Sequence, residues 1–236
     1  MLYLHETLTI VPWTEDEFWH VMGTDYVPQA EKKGLRLVGL FKIGIRYSEN
    51  IAIWEVDDWA ALDRIREFHD KDPWMKTWNL ESLRYRTDWV GRVLEPASFS
   101  PTLAKINKGD YKSTFYLHCL ARVTPGKVSE YMNAIKKELV PMAKSWGMQL
   151  AGCYQTAAGE ADSDEVFSIW TAGDMIAGWH AIRDAAQKDP AFKRWEAKAG
   201  AWRQDVVYKF LLGLVAFSPL RMKDEFLQAV QLMKKG

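Results

Sequence analysis

Shifted by 113 positions, this 236-residue sequence falls onto itself. Tyr3-Leu4-His5 lands on Tyr116-Leu117-His118, Pro12 on Pro125, Glu17 on Glu130, and Val27-Pro28 on Val140-Pro141. After an insertion near residues 159–163 the offset becomes 116, pairing Ile53-Trp54 with Ile169-Trp170. It then becomes 117, pairing Asp72-Pro73, Lys76 and Trp78 with Asp189-Pro190, Lys193 and Trp195. An offset that drifts only upward, in small steps, is what loop insertions do to a duplicated unit. Whatever one half folds into, the other must fold into as well.

Each half reads as the same series of elements. Leu2–Val11 alternates and is rich in β-formers, so it reads as a strand. Thr14-Glu15-Asp16-Glu17 has the capping-box pattern, with Thr14 placed to accept from the amide of Glu17. The helix it opens is expected to run to about Lys33, to bend near Pro28 and to stop at Gly34. Two strands over Leu35–Ile45 and Asn50–Val56 follow, then a helix over Trp59–His69 capped by Asp58, and a closing strand over Arg84–Leu94. The second half repeats the order. The expected fold class is α+β, two tandem ferredoxin-like β-α-β-β-α-β repeats. The boundaries are residues 1–101 for the first repeat, 102–112 for a linker, 113–219 for the second repeat and 220–236 for a helical tail. In that tail Phe226, Val230 and Met233 share one face.

Composition removes several function classes. The 31 basic side chains are balanced by 31 acidic ones, so no net field draws in nucleic acid or an anionic membrane. The longest apolar run, Phe210–Phe217, is far short of the roughly 20 residues of a membrane span. Cys119 and Cys153 make neither a disulfide framework nor a metal cage, and the N-terminus lacks the features of a signal peptide, so a cytoplasmic location is expected. There is no phosphate-binding glycine loop, no nucleophile elbow and no dinucleotide fingerprint.

The paired segments Asp72-Pro73-Trp74-Met75-Lys76-Thr77-Trp78 and Asp189-Pro190-Ala191-Phe192-Lys193-Arg194-Trp195, with Ile53-Trp54 and Ile169-Trp170 and the proline after each first strand, resemble the NIPSNAP family. That resemblance implies a dimeric α/β-barrel structure, in which two sheets close a barrel within one chain or across a dimer. Where family members carry a charged pair along the first strand, this chain reads Leu4/Glu6 and Leu117/Cys119. The superfamily includes cofactor-independent monooxygenases, lyases and haem proteins, so fold alone leaves the reaction open.

Strand parity selects the candidate chemistry. In the first strand Leu4, Leu8 and Ile10 are expected under the helices and Tyr3, His5, Thr7 and Thr9 inside the barrel. In its mate, Tyr116, His118, Leu120 and Arg122 face inward. We therefore expect the inward face to line a pocket, with His5 and His118 as acid/base groups and Tyr3 and Tyr116 orienting substrate. Trp54 and Trp170 are expected in the pocket wall, and Arg86, Arg203 and Arg122 as carboxylate or carbonyl binders at its mouth. His20, His69 and His180 fall on helices and read as half-exposed.

The expected activity is histidine-assisted acid/base chemistry on a small apolar or aromatic molecule without a nucleotide cofactor: a lyase, an isomerase or a cofactor-independent monooxygenase. The alternatives are a non-catalytic ligand-binding or adaptor protein and a haem-binding protein. No metal and no tightly held cofactor are expected, and the partners are a small apolar ligand and further copies of the chain in a homodimer or higher oligomer.

Overall fold

The computed structural model describes residues 1–44, 48–159 and 164–233. The insertion read near residues 159–163 and the end of the strand expected to reach Ile45 therefore fall largely outside them.

The first half runs β1 (Leu2–Ile10), α1 (Glu15–Val21), a π-turn (Met22–Tyr26), α2 (Val27–Lys32), β2 (Arg36–Ile43), β3 (Glu49–Val56), α3 (Trp59–Lys71), α4 (Pro73–Ser82) and β4 (Arg86–Pro96). A connecting helix α5 (Leu103–Lys108) follows. The second half runs β5 (Phe115–Val123), α6 (Val128–Ala134), a π-turn (Ile135–Leu139), α7 (Val140–Ser145), β6 (Leu150–Gly159), β7 (Glu165–Thr171), α8 (Ile176–Lys188), α9 (Pro190–Ala199) and β8 (Arg203–Leu212). A last helix, α10 (Asp224–Met233), ends the described chain. Among the described residues no helix is long and apolar enough to cross a membrane.

The eight strands close a barrel in the order β1-β3-β2-β8-β5-β7-β6-β4. Two seams join the halves: β4 with β6 from Arg92↔Gly159 to Pro96↔Tyr154, and β2 with β8 at Lys42↔Leu212 and Ile43↔Leu211. The barrel is thus complete within one chain. Its strands divide the apolar side chains into three cores. Tyr3, Phe41, Ile53, Tyr116, Tyr154 and Ile169 fill the interior. Leu8, Ile10, Phe18, Trp54 and Trp78 pack between the first-half sheet and its helices, and Ala121, Val123, Tyr131, Trp170 and Trp195 do so in the second half. The parity read from the sequence agrees, and β1 and β5 show the same order of buried and exposed positions.

Four local features differ from the sequence reading, each for a physical reason. Thr14 does not cap α1 with its side chain; its hydroxyl donates to Val11 O at 2.9 Å instead. The bend near Pro28 is a π-turn just ahead of it, and the second half does the same before Pro141. Proline brings no N–H to the ladder, and widening the preceding turn absorbs that loss. Asp72-Pro73 and Asp189-Pro190 do not merely stop a helix: each starts another. The Asp72 carboxylate accepts from Trp74 N at 2.9 Å and Asp189 from Ala191 N at 2.7 Å, with proline at the position where a missing N–H costs nothing. Asp72→Ala is expected to lower the unfolding free energy by about 1 kcal/mol, which urea denaturation measures directly.

The fourth difference is the connecting segment, which is more than a linker. Leu103, Ile106 and Tyr111 are buried in the interior core. The amide of Leu103 donates to Glu55 Oε2 at 3.0 Å, and the Tyr3 hydroxyl donates to the same oxygen at 2.6 Å. The segment closes one end of the barrel.

Candidate active site

His5 and His118 meet inside the barrel. Their Nε2 atoms are 3.0 Å apart and each residue is 2% exposed, with the Phe167 ring beside both. Burial drives the His118 pKa down to about 3, with Lys209 next in effect, and lowers His5 far below its usual range, His118 adding to that. Both rings are therefore neutral at pH 7, one donating and one accepting, and neither Nδ1 has a partner. Arg92 lies opposite His5 in the β1–β4 register, and Lys209 opposite His118 in β5–β8. These cations pair across the halves with Glu165 at 3.2 Å and Glu49 at 2.5 Å.

The other candidates on these strands are also structural in their contacts. Tyr3 is held by Glu55, and the Tyr116 hydroxyl accepts from Ser113 N at 3.0 Å while lying 2.9 Å from Tyr111 O and 3.1 Å from Arg221 O. Arg122 is exposed on β5, in register with Glu165 on one side and Asp205 on the other. Trp170 donates to Ser168 Oγ at 3.0 Å.

A cavity lies on the opposite face of β1. It has a volume of about 710 Å³ and sits between the first-half sheet and its helices, within the size range of small-molecule sites. The expectation that the inward face provides the pocket is corrected on that point: ring packing and cross-barrel ion pairs occupy the interior, while the helix layer stands off the sheet. Apolar and aromatic side chains make most of the cavity wall, with Phe18, Met22, Met75 and Trp78 beneath and Trp59 and Trp89 near its edge.

Glu6, Tyr26, His69 and Arg86 converge on the cavity beside Asn79 and Arg92, and the exposed Asp63, Arg66 and Asp70 also line it. Glu6 projects from β1 between Leu4 and Leu8, and Trp54 Nε1 donates to its Oε2 at 2.7 Å. Burial raises the carboxyl pKa, against the pull of the Trp54 and Trp89 donors and the charge of Arg86. The Tyr26 hydroxyl, at the end of the π-turn, lies 3.2 Å from His69 Nε2. Desolvation keeps that phenol protonated, and it lowers the His69 pKa, with Arg86 next in effect. Arg86 is steadied by Ser82 Oγ at 3.2 Å and Asn79 Oδ1 at 3.4 Å from α4. The site thus presents a neutral imidazole, a phenol, a carboxyl group and a fixed cation against aromatic walls. Such a set can remove a proton and hold the anion that results.

Of the sequence candidates, Arg86 and Trp54 belong to this site, and Arg203 occupies the matching place in the second half. Glu6, Tyr26 and His69 were not selected. Glu6 did leave a signal, as a carboxylate in an otherwise apolar helix-facing row of Leu4, Leu8 and Ile10.

The second half is built differently at the same places. Cys119 replaces Glu6, Leu139 replaces Tyr26, Ala186 replaces His69 and Tyr131 replaces Phe18. Cys119, Leu139, Tyr131 and Trp195 join one packed cluster. Arg203 donates to the Tyr131 hydroxyl at 3.4 Å and stacks over Trp195. Cys119 and Cys153 are free thiols whose pKa values burial pushes up to about 12, so neither is a ready nucleophile.

Residues 121–219 match the model of the NIPSNAP family. The match covers most of the second half of the chain. No curated protein matches the chain. Among solved structures it is similar to an anthrone oxidase-like protein, with a TM-score of 0.66 and 15% identity over 89% of this chain and 90% of that one. A proposed monooxygenase of Lactobacillus acidophilus aligns with a TM-score of 0.58 and 17% identity, covering 89% of this chain and 92% of that one. One of Fusobacterium nucleatum aligns with a TM-score of 0.58 and 11% identity, covering 89% and 91%. These likenesses establish a shared fold. The half that matches the NIPSNAP model is the one with the packed counterpart, and the polar cavity belongs to the half that precedes it.

Proposed function

We propose that the chain is an enzyme that takes a planar aromatic molecule into the first-half cavity and removes a proton from an ionisable O–H or an activated ring C–H. The observation that carries this reading is the convergence of Glu6, Tyr26, His69 and Arg86 on an aromatic cavity of about 710 Å³. His69, neutral through burial, takes the proton. The Arg86 guanidinium faces the oxygen on which negative charge collects, and Tyr26 donates to His69 Nε2 and relays the substrate proton to it. Trp89 stacks against the substrate, and the edge of Trp78 borders it and limits water.

The finer reading is an oxygenase without a cofactor, in which the electron-rich anion reacts with dioxygen. The names of the anthrone oxidase-like and monooxygenase neighbours support that choice over lyase or isomerase chemistry. On the duplication reading, one copy kept the site, and in the other Tyr131 and Leu139 took up its space. Oxygen uptake measured with a panel of tricyclic and bicyclic phenols and anthrones tests the proposal. Uptake that depends on one of these compounds supports it. Stoichiometric binding with proton transfer but no uptake would leave acid/base chemistry and remove the oxygenase reading. No binding by any member of the panel would overturn both.

A further inference from the structure

The cavity half contains a run of oxidisable rings leading outward from the site. The Tyr26 ring stacks on Trp78 with centroids 5.4 Å apart. Trp78 stacks on Trp74 at 5.9 Å with planes 5° apart. Trp74 is partly exposed, so the run connects a buried phenol to the protein surface in two steps. At its inner end the phenol touches His69 Nε2 at 3.2 Å, within reach of the proton a phenol must shed when it loses an electron.

The second half supplies an internal comparison on the same scaffold. There Trp195 keeps the place of Trp78, but Ala191 replaces Trp74 and the ring stacked on Trp195 is Phe192, at 6.1 Å. Phenylalanine is far harder to oxidise than tryptophan. Tyr131 stands nearby with its hydroxyl toward the Arg203 guanidinium rather than a base, and Leu139 and Ala186 replace Tyr26 and His69. Packing alone is served equally well by either set of rings. The second half keeps one oxidisable pair, Tyr131 and Trp195 at 6.3 Å, but only the half with the polar cavity continues it to a second tryptophan.

We propose that Tyr26, Trp78 and Trp74 form an electron-hole route from the cavity to the surface, with His69 as the proton acceptor for Tyr26. This rests on the oxygen-using form of the proposed function, in which a stray substrate peroxyl radical is the oxidant. The peroxyl radical takes one electron from Tyr26 and a proton from the Glu6 carboxyl, becoming a hydroperoxide, and the proton that the thiol later releases to solvent restores that carboxyl. Tyr26 passes its phenolic proton to His69 and becomes a neutral tyrosyl radical. An electron from Trp78, with the proton returned by His69, restores the phenol. Trp74 then refills Trp78, and a thiol in solution refills Trp74 by giving up one electron and its proton as a thiyl radical. The net reaction converts a peroxyl radical and a thiol into a hydroperoxide and a thiyl radical, away from the cavity.

The route runs in either direction, so it can be driven from outside without substrate. Flash oxidation of the full-length protein by a photogenerated ruthenium(III) tris-bipyridine complex, followed by rapid freezing and electron paramagnetic resonance, reads where the hole settles. A tyrosyl signal is expected in the native protein, replaced by a tryptophanyl signal in Tyr26→Phe. In Trp78→Phe, which keeps an aromatic side chain at that place, the tyrosyl signal should rise severalfold more slowly. His69→Gln should lower its yield at neutral pH, and Tyr131→Phe should leave it unchanged. An unaltered tyrosyl signal in Tyr26→Phe, or one lost in Tyr131→Phe instead, overturns the proposal. Unaltered kinetics in a folded Trp78→Phe would do the same. Because no substrate is involved, this result stands apart from oxygen uptake: either can fail while the other succeeds.

Discussion

His69→Gln is expected to lower turnover by about 10²–10⁴-fold, the usual contribution of a positioned general base, while the fold survives. His69 is only partly buried on α3 and is not part of the barrel core, so its replacement removes chemistry rather than packing. The pH profile gives a second reading. Burial and the nearby charge of Arg86 lower the His69 pKa from 6.5, so the basic form persists in moderately acidic solution. The acidic limb of kcat/KM should therefore lie below pH 6.5 and vanish in His69→Gln. Arg86→Met should move that limb back toward the ordinary imidazole range, since a cation that disfavours protonation has gone. Replacing His118 by Leu should leave the limb where it is. Steady-state kinetics from pH 5 to 9 on the three variants separates these outcomes, and a limb lost in His118→Leu but kept in His69→Gln would return the chemistry to the barrel interior.

The second large effect concerns stability in acid. His5 and His118 are neutral in the fold and charge freely when unfolded, so the unfolded state binds more protons below the unfolded pKa of 6.5. Stability from this pair is fully present above pH 6.5 and is lost as pH falls toward the folded His118 value of about 3. Each histidine contributes a slope of up to about 1.4 kcal/mol per pH unit. The surroundings reinforce the direction. Arg92 on β4 and Lys209 on β8 are cations across from the two rings, and Glu165 on β7 and Glu49 on β3 are already engaged with them. Replacing both histidines by leucine removes donor and acceptor together, which is nearly neutral at pH 7.5, and should flatten the acid slope. Either single leucine leaves the Nε2 of the remaining buried ring unpaired as well as its Nδ1 and costs about 1–3 kcal/mol. Urea denaturation between pH 8 and 4.5 measures both effects, and an equally steep slope in the double variant would contradict the assignment.

The two halves and the parity of their strands were legible because they rest on local pattern. The offset of 113 placed His5 opposite His118, and period-2 alternation put both on the inward face. The cavity was not legible because it depends on how far a helix layer stands from a sheet. That distance is set by pairs such as Phe18 against Tyr131 and Tyr26 against Leu139, whose volumes act only after the helices dock. His69 read as a half-exposed helix residue for the same reason: its phenolic partner lies 43 positions away. The helices α4 and α9 were missed by a different route. Asp-Pro both ends one helix and begins the next, and only its first meaning was used. The plug formed by α5 did leave a trace, in Leu103 and Ile106 at helical spacing.

The central claim is that an aromatic ligand enters the first-half cavity and neither the barrel interior nor the second half. Fluorine NMR of protein labelled with 5-fluorotryptophan tests it most directly, since the twelve tryptophans are spread over both halves. Single Trp→Phe variants assign the resonances. Titration with the phenol or anthrone that supports oxygen uptake should shift Trp78 and Trp89 together, saturating at one ligand per chain, while Trp170 and Trp195 stay in place. Saturation with shifts at Trp170 and Trp195, and none at Trp78 or Trp89, would contradict the account.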